Sequence, residues 1–223
     1  MFARIAGSYD LLNHLLSAGI DRRWRRRAVS RAELASGGMV VDVCCGTGDL
    51  ALEFARQGAQ VVGVDFTPEM LQHALPKQVA GLGPTVFLHG DALRIPVRSD
   101  CADVSCVAFG IRNVADRLAG MRELRRVLKP GGRVVILEFT QPPGFLFGAL
   151  YRFYFKQLLP RFGNLFDRDN DAYSYLARTV MAWPSPQQLQ SELEGQGFED
   201  CGHQLLTRGI ACLHWGTRAG GSD

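Results

Sequence analysis

Closely spaced glycines and acids follow a short apolar run near residue 40 and form the part of the chain best suited to chemistry. The run 39–44 leads directly into Gly46 and Gly48. Such glycines let backbone N–H groups approach a ligand, and a helix that begins there adds its positive dipole end. Asp65 ends the next apolar run, where a carboxylate can accept hydrogen bonds from both hydroxyls of a ribose. This pattern predicts a nucleoside-cofactor site.

The loop alone leaves the choice of cofactor open. Gly46, Gly48 and Ala51 also satisfy the G-x-G-x-x-G/A pattern of a dinucleotide site. The acids Asp42 and Asp49 flank the glycines, and they favour a ligand with a cationic ammonium and sulfonium over an anionic pyrophosphate. We therefore expect S-adenosylmethionine. An NAD-dependent oxidoreductase is the alternative from another class, although no Tyr-x-x-x-Lys or His-based proton relay is evident, and a catalytically silent adenosyl-binding module is a third.

Composition limits the chain to one domain over residues 1–223. It has 223 residues, 47% of them hydrophobic, which suffices for one sizeable core. A net charge of +3 is too small to suggest nucleic-acid binding. The six cysteines form no C-x-x-C pair, so no metal site is expected. No signal peptide or spanning segment is indicated, and we expect a cytoplasmic protein with reduced thiols.

Apolar runs alternate with helical patterns from residue 39 onward. The runs occupy 39–44, 61–64, 86–88, 103–108 and 134–139, with a terminal hairpin over 198–206 and 209–216. The helical patterns cover 68–80, 116–128 and 186–196. The Lys-Pro-Gly-Gly sequence at 129–132 should end the second of these helices and turn the chain into the fifth strand. The alternation predicts an α/β fold with a parallel sheet and crossover helices.

Two segments lie outside this alternation of apolar runs and helical patterns. Residues 1–35 look helical and are expected to form an N-terminal cap. Residues 140–183 are rich in aromatic and apolar side chains and follow the end of a strand, where ligands bind in α/β proteins, so they could cover an apolar substrate. The arginines between 22 and 31 are typical of a solvated helix face, and they could also contact anionic lipid.

Short motifs in a fixed order carry a family resemblance. They lie at 9–13, 19–25, 45–50, 64–65 with 69–71, 90–96, 109–114, 127–133, 137–139, 159–161 and 173–176. In this order they resemble the ubiquinone/menaquinone biosynthesis C-methyltransferases, within the class I S-adenosylmethionine-dependent methyltransferases. The pieces Phe-Gly-Ile-Arg-Asn-Val and Tyr-Ser-Tyr-Leu are the most specific. The resemblance implies a Rossmann-like class I methyltransferase fold, with a mostly parallel seven-stranded sheet and helices on both faces.

The resemblance also implies roles for cofactor-binding residues. It places Thr47 and its flanking glycines at the methionine end, Asp65 on the ribose, and Asp91 with Ala92 beside the adenine. The Asp91 carboxylate can accept from the adenine amino group, and the small Ala92 leaves its backbone N–H free to reach a ring nitrogen. The alternative is that Asp65 and Asp91 are only turn residues at strand ends.

The chain departs from the wider pattern at two positions. Cys44 stands where many class I methyltransferases place the first glycine of the loop, so close approach of a ligand is less free there. Ala108 stands where some members of the family carry a serine that touches the cofactor, so a contact at that position must come from the backbone.

The implied reaction is methyl transfer to a ring carbon of a prenylated quinol. We expect demethylmenaquinol as the substrate, and the benzoquinol step of ubiquinone synthesis, or both steps, as the alternative. Arg112 and Asn113 are the predicted catalytic pair, because they could hold the phenolate that forms or orient a water; a structural salt bridge is the other interpretation of Arg112. Tyr9 is either a rival proton-handling group or a packed aromatic. Peripheral membrane contact is expected from the substrate, and the oligomeric state is left open.

Overall fold

The fold of this chain is built on one seven-stranded sheet. A computed structural model describes residues 19–78, 81–143, 175 and 178–220. The strands are β1 (Met39–Val43), β2 (Gln60–Asp65), β3 (Thr85–His89), β4 (Ala102–Ala108), β5 (Leu128–Phe139), β6 (Phe198–Leu206) and β7 (Ala211–Arg218). The helices are α1 (Asp21–Ala32), α2 (Asp49–Ala55), α3 (Pro68–Ala74), α4 (Arg117–Val127) and α5 (Pro186–Gly195).

The sheet is mostly parallel, as predicted. Its strand order is β3-β2-β1-β4-β5-β7-β6. Strands β1 to β5 pair in parallel, and β7 is antiparallel to both β5 and β6. The chain moves outward from β1 to β3 and then returns to place β4 on the other side of β1. The crevice at the carboxyl ends of β1 and β4 is therefore a topological switch point, the usual ligand-binding place in such sheets.

Helices cover both faces of the sheet, which also confirms the predicted architecture. Successive β1 residues point to opposite faces. Val40 packs in a core with Trp24 of α1 and Phe54 of α2, whereas Val41 packs in a second core with Met121 of α4 and Leu189 of α5. Because both faces are covered, the central strands are apolar on both faces for most of their length rather than strictly alternating.

Two predicted element boundaries are wrong for local reasons. The helix expected over 68–80 ends at Ala74 and continues only as a 3-10 turn at Leu75–Lys77, because Pro76 supplies no backbone N–H. Strand β5 begins at Leu128, directly after α4, rather than beyond the glycines. Its pairing shifts from Ala102 opposite Leu128 to Val104 opposite Arg133, so residues 129–132 form a bulge within the strand instead of a turn before it.

The two added segments are described only in part. Of the N-terminal cap, the structure contains 19–35, which includes α1. Most of the apolar insertion, at 144–174 and 176–177, lies outside the described residues, so its expected covering role stays a prediction. Within the described ranges no helix has the length and apolar character needed to cross a membrane.

Candidate functional site

A cavity of about 320 Å³ lies at the carboxyl ends of β1, β2, β3 and β4. Five of the predicted site residues line it: Gly46, Asp65, Asp91, Ala92 and Asn113. They come from four different loops, and the switch point of the sheet brings those loops together. Its other lining residues, among them Phe66, Met70 and Phe109, are mainly apolar, which suits a flat adenine or quinol ring.

Asp65 links the loop after β1 to the loop after β2 through hydrogen bonds. One carboxylate oxygen, Oδ2, accepts a hydrogen bond from the Gly46 backbone N–H at 2.7 Å, and Oδ1 accepts one from the Thr67 N–H at 2.8 Å. Burial raises the pKa of this carboxyl, although the same backbone bonds oppose the shift. Each carboxylate oxygen has a second lone pair. Asp65 can therefore shape the loops and still accept hydrogen bonds from a ligand.

Asp91 is both a turn residue and a cavity residue, the two interpretations that the sequence left open. Its Oδ1 accepts a hydrogen bond from the Leu93 backbone N–H at 2.9 Å, as a turn residue would. It also lines the cavity beside Ala92. A turn-forming bond to one lone pair leaves the rest of the carboxylate available to a ligand, so the turn role does not exclude binding.

A smaller cleft adjoins the cavity and shares Cys44 and Gly46 with it. Asp42 and Thr47, both predicted cofactor ligands, line this cleft. Asp42 is only 1% exposed, and its Oδ2 makes no hydrogen bond of normal geometry to the described residues. Burial raises the Asp42 pKa to about 7, against the opposing effect of the Cys106 thiol. The cleft thus contains a buried carboxyl group that a cationic ligand would stabilise in its charged form.

Arg25 lines the same cleft, and sequence reasoning missed it. It is 8% exposed, forms a buried ion pair with Asp21, and places Nη2 at 3.7 Å from Asp49 Oδ2. The interpretation of the arginine segment as a solvated face is therefore wrong for this residue. The acid four residues before it was the available signal, because that spacing places both side chains on one face of a helix.

The loops around the site hold two non-glycine residues in left-handed conformations. Cys44 has φ +54° and Phe109 has φ +58°, each a strain of about 1–3 kcal/mol. Cys44 therefore adopts the left-handed backbone conformation that favours glycine, although it is not a glycine. Gly110 allows these loops to approach, since a Cβ there would lie 2.3 Å from the Cys44 Cβ.

Gly48 lies behind the loop rather than in either cavity. It precedes α2 with φ +80°, and a Cβ there would lie 2.7 Å from Cζ of Phe87. It lines neither the cavity nor the cleft. A glycine at this position therefore allows the turn to form and leaves room for the Phe87 ring. Ala108 does line the cleft, where it presents no side-chain hydroxyl.

Arg112 and Asn113 end a short 3-10 turn after β4, yet their surroundings differ. Arg112 Nη1 donates to Glu138 Oε1 at 2.6 Å and to Oε2 at 2.7 Å. The Arg112 side chain is 7% exposed and that of Glu138 is 0% exposed, so the salt bridge considered for Arg112 is present. Burial raises the pKa of Glu138, and the Arg112 charge opposes this. Asn113 lines the cavity, whereas Arg112 is not among its lining residues.

Tyr175, which the sequence pointed to only as part of a motif, contacts Asn113. Its hydroxyl donates to Asn113 Oδ1 at 3.1 Å across 62 positions of the chain. Tyr9, the third predicted catalytic residue, lies outside the described residues and stays a prediction. Across the ranges that the structure describes, no three His, Cys, Asp or Glu side chains converge as metal ligands.

Solved structures share this fold at low sequence identity. The crystal structure of an S-adenosylmethionine-dependent methyltransferase from Thermotoga maritima has a TM-score of 0.68 at 18% identity, with 97% of each chain covered. Phosphoethanolamine N-methyltransferase 2 from Haemonchus contortus, in complex with S-adenosyl-L-methionine, has a TM-score of 0.66 at 16% identity over 88% of this chain and 52% of that chain.

Curated relatives are similar over nearly the whole chain. A demethylmenaquinone methyltransferase from Thermus thermophilus is 46% identical, with 98% of this chain and 100% of the relative covered. A ubiquinone/menaquinone biosynthesis C-methyltransferase from Syntrophotalea carbinolica is 44% identical, with 98% and 93% covered. A family model described as the ubiE/COQ5 methyltransferase family matches residues 1–218. The chain belongs to the ubiE/COQ5 methyltransferase family.

Proposed function

We propose that this protein transfers the methyl group of S-adenosylmethionine to a ring carbon of demethylmenaquinol. The observation that carries the cofactor part is the cleft next to the cavity. It presents the buried Asp42 carboxyl and the Arg25 guanidinium to the same small space. An amino-acid head group carries an ammonium and a carboxylate, and these two side chains complement both charges.

The larger cavity fits the nucleoside part of the same molecule. Asp65, Asp91 and Ala92 all line this cavity, and in this proposal Asp65 accepts from the ribose hydroxyls while Asp91 and Ala92 bind the adenine. A dinucleotide would instead place a pyrophosphate beside the buried Asp42 carboxyl, and an anionic group opposes the ionisation of that carboxyl, whereas a cationic one favours it. Membership of a methyltransferase family likewise gives no support to the oxidoreductase alternative.

When bound, S-adenosylmethionine supplies a methyl group on a positively charged sulfur that leaves as a neutral thioether. The chain's own residues then act on the acceptor. Loss of a proton from a quinol hydroxyl to a water raises the electron density of the neighbouring ring carbon, the atom that would accept the methyl group. That carbon would then lose its own proton to a second water, which restores the aromatic ring. Asn113 at the cavity wall holds the phenolate oxygen, and the Arg112 charge nearby favours the anion.

The identity of the acceptor rests on the relatives. Proteins named demethylmenaquinone methyltransferase, from Thermus thermophilus and Deinococcus radiodurans, are each 46% identical to this chain. Others carry the name ubiquinone/menaquinone biosynthesis C-methyltransferase. The naphthoquinol step is common to both names, so it is the step we propose.

Incubation with methyl-labelled S-adenosylmethionine tests this proposal. Demethylmenaquinol and the 2-methoxy-6-polyprenyl-1,4-benzoquinol are offered separately, and the products are analysed by mass spectrometry. We expect label on the naphthoquinol ring. Label on the benzoquinol alone would replace the proposed substrate, and cofactor binding without label on either ring would leave an adenosyl-binding module.

The proposal includes contact with a membrane surface, because a prenylated quinol resides in the bilayer. Four arginines of α1 are exposed, in contrast to Arg25: Arg22, Arg23, Arg26 and Arg27. Near an anionic surface each basic group contributes about 1 kcal/mol. Flotation with neutral and anionic vesicles tests this contact. Stronger binding to the anionic vesicles is expected, and equal binding to both would remove this part of the proposal.

A further inference from the structure

We infer that Tyr175 is a positioning residue that fixes the side-chain amide of Asn113 with its nitrogen donor toward the acceptor substrate. The inference rests on the proposed methyl transfer and deepens it. Asn113 lines the cavity at the end of the turn that follows β4. Tyr175 reaches it from a distant part of the chain, beyond most of the apolar insertion.

The hydrogen bond selects one of the two orientations of the amide. A carboxamide has an acceptor oxygen on one side and a donor NH₂ on the other. The Tyr175 hydroxyl donates to Asn113 Oδ1 at 3.1 Å. Within the described part of the chain, the Asn113 Nδ2 group has no hydrogen-bond acceptor. The described residues thus leave its two N–H bonds to a ligand in the cavity.

The orientation matters because the proposed reaction builds negative charge on a quinol oxygen. An amide N–H pointing at that oxygen stabilises the charge, whereas an amide oxygen in the same place would repel it. A hydroxyl that donates to Oδ1 therefore favours the catalytically useful orientation without touching the substrate itself.

Tyr175 is in turn held by its own helical turn. Thr179 Oγ1 donates to the Tyr175 backbone carbonyl at 3.0 Å, and the Arg178 guanidinium carbon lies 5.6 Å from the centroid of the Tyr175 ring. The Arg178 contact restrains one face of the ring, whereas the Thr179 bond ends on the backbone carbonyl and not on the ring. The ring contact therefore helps to present the hydroxyl to Asn113.

Replacing Tyr175 by Phe removes only the hydroxyl. Loss of one hydrogen bond of ordinary strength predicts a fall in kcat of about fivefold to tenfold, with the Kd for S-adenosylmethionine unchanged. Thr179→Val is the matched control, because it removes a hydroxyl from the same helical turn whose bond goes to the backbone. It should keep the wild-type kcat.

A double-mutant cycle separates positioning from general structural support. In an Asn113→Ala background, Tyr175→Phe should have no further effect on kcat. Asn113→Asp, which offers only acceptors at neutral pH, should be at least as impaired as Asn113→Ala. The inference is overturned if Tyr175→Phe lowers kcat by the same factor in both backgrounds, if it leaves kcat unchanged in the wild type, or if Asn113→Asp keeps activity.

A readout without turnover keeps this test separate from the test of the proposed function. The side-chain amide NMR resonances of Asn113 should move or broaden in Tyr175→Phe and stay in place in Thr179→Val. Unchanged resonances in Tyr175→Phe would contradict the inference even in an active enzyme. An inactive wild-type protein whose Asn113 resonances respond to Tyr175→Phe would instead contradict only the proposed reaction.

Discussion

Arg112 Nη1 lies within 2.7 Å of both carboxylate oxygens of Glu138, and the two side chains are almost fully buried at the carboxyl ends of adjacent strands. The same residue is thus a candidate for anion stabilisation and a member of a buried ion pair. Removing Arg112 alone cannot separate the two roles, because it leaves the Glu138 carboxyl buried without its partner.

The stability of the pair and its role in turnover can be separated by comparing two variants. Arg112→Ala should lower the free energy of unfolding by about 3–5 kcal/mol and abolish most turnover. The double variant Arg112→Met/Glu138→Gln removes both charges, so we expect it to regain most of the stability and none of the turnover. Urea denaturation and methyl-transfer assays measure the two effects. Recovery of turnover together with stability would reduce the pair to a structural role.

The raised pKa of Asp42 predicts a pH-dependent loss of stability. The value is about 7 in the folded chain against 3.8 for an ordinary aspartate. Between these limits the folded state holds a proton that the unfolded state has lost, so the free energy of unfolding falls as pH rises. The loss is at most a few kcal/mol, at about 1.4 kcal/mol per pKa unit. Asp42→Asn should abolish this part of the dependence.

Denaturant unfolding at about pH 4 and about pH 7 provides the comparison for Asp42. The wild type should lose stability relative to Asp42→Asn between these two conditions. Asp200→Asn is the control, since Asp200 is exposed on the edge strand β6 and does not line the cleft. It should follow the wild-type profile. Parallel profiles for the wild type and Asp42→Asn would show that the carboxyl is not protonated in the folded state.

Arg25 should matter for cofactor affinity, unlike its exposed neighbour Arg26. Arg25→Met should weaken binding of S-adenosylmethionine by about tenfold or more, the equivalent of about 1.4 kcal/mol or more. Arg26→Met should leave the affinity unchanged, because Arg26 is exposed and does not line the cleft. Isothermal titration calorimetry gives both values. Equal affinities for the two variants would exclude Arg25 from the site.

Gly110 should tolerate no side chain. An added Cβ would lie 2.3 Å from the Cys44 Cβ, so Gly110→Ala should cost about 2–4 kcal/mol of stability and disturb the cavity. Gly120→Ala in α4 is the control, because the nearest atom to its Cβ is 3.4 Å away. It should be neutral or stabilise the helix by up to about 1 kcal/mol. Thermal unfolding of both variants tests the difference, and similar melting temperatures would refute it.

Much of the fold follows from local pattern in the sequence. The buried strands β1, β2 and β4 are mainly apolar. Asp65 ends β2 and Asp91 follows β3, and the ends of these strands must meet at one edge of a parallel sheet. Those features depend on residues close together in the chain. Their positions could therefore be predicted from the amino-acid sequence alone.

The features that were missed depend on distant contacts. Apart from Asp21, nothing in the arginine-rich segment distinguishes the buried Arg25 from its exposed neighbours, because burial is decided by how α1 packs against β5 and α2. The bond between Tyr175 and Asn113 joins residues 62 positions apart. The pairing of Arg112 with Glu138 likewise depends on the register of two strands.

The central claim is that the cavity and cleft recognise an adenosine joined through sulfur to an amino-acid head group. Calorimetric titration of the wild-type protein with S-adenosylmethionine, 5′-methylthioadenosine and NAD tests it most directly. We expect S-adenosylmethionine to bind at least about tenfold more tightly than methylthioadenosine, which lacks the head group, and NAD not to bind. Tight binding of NAD, or equal affinities for the first two ligands, would contradict the account.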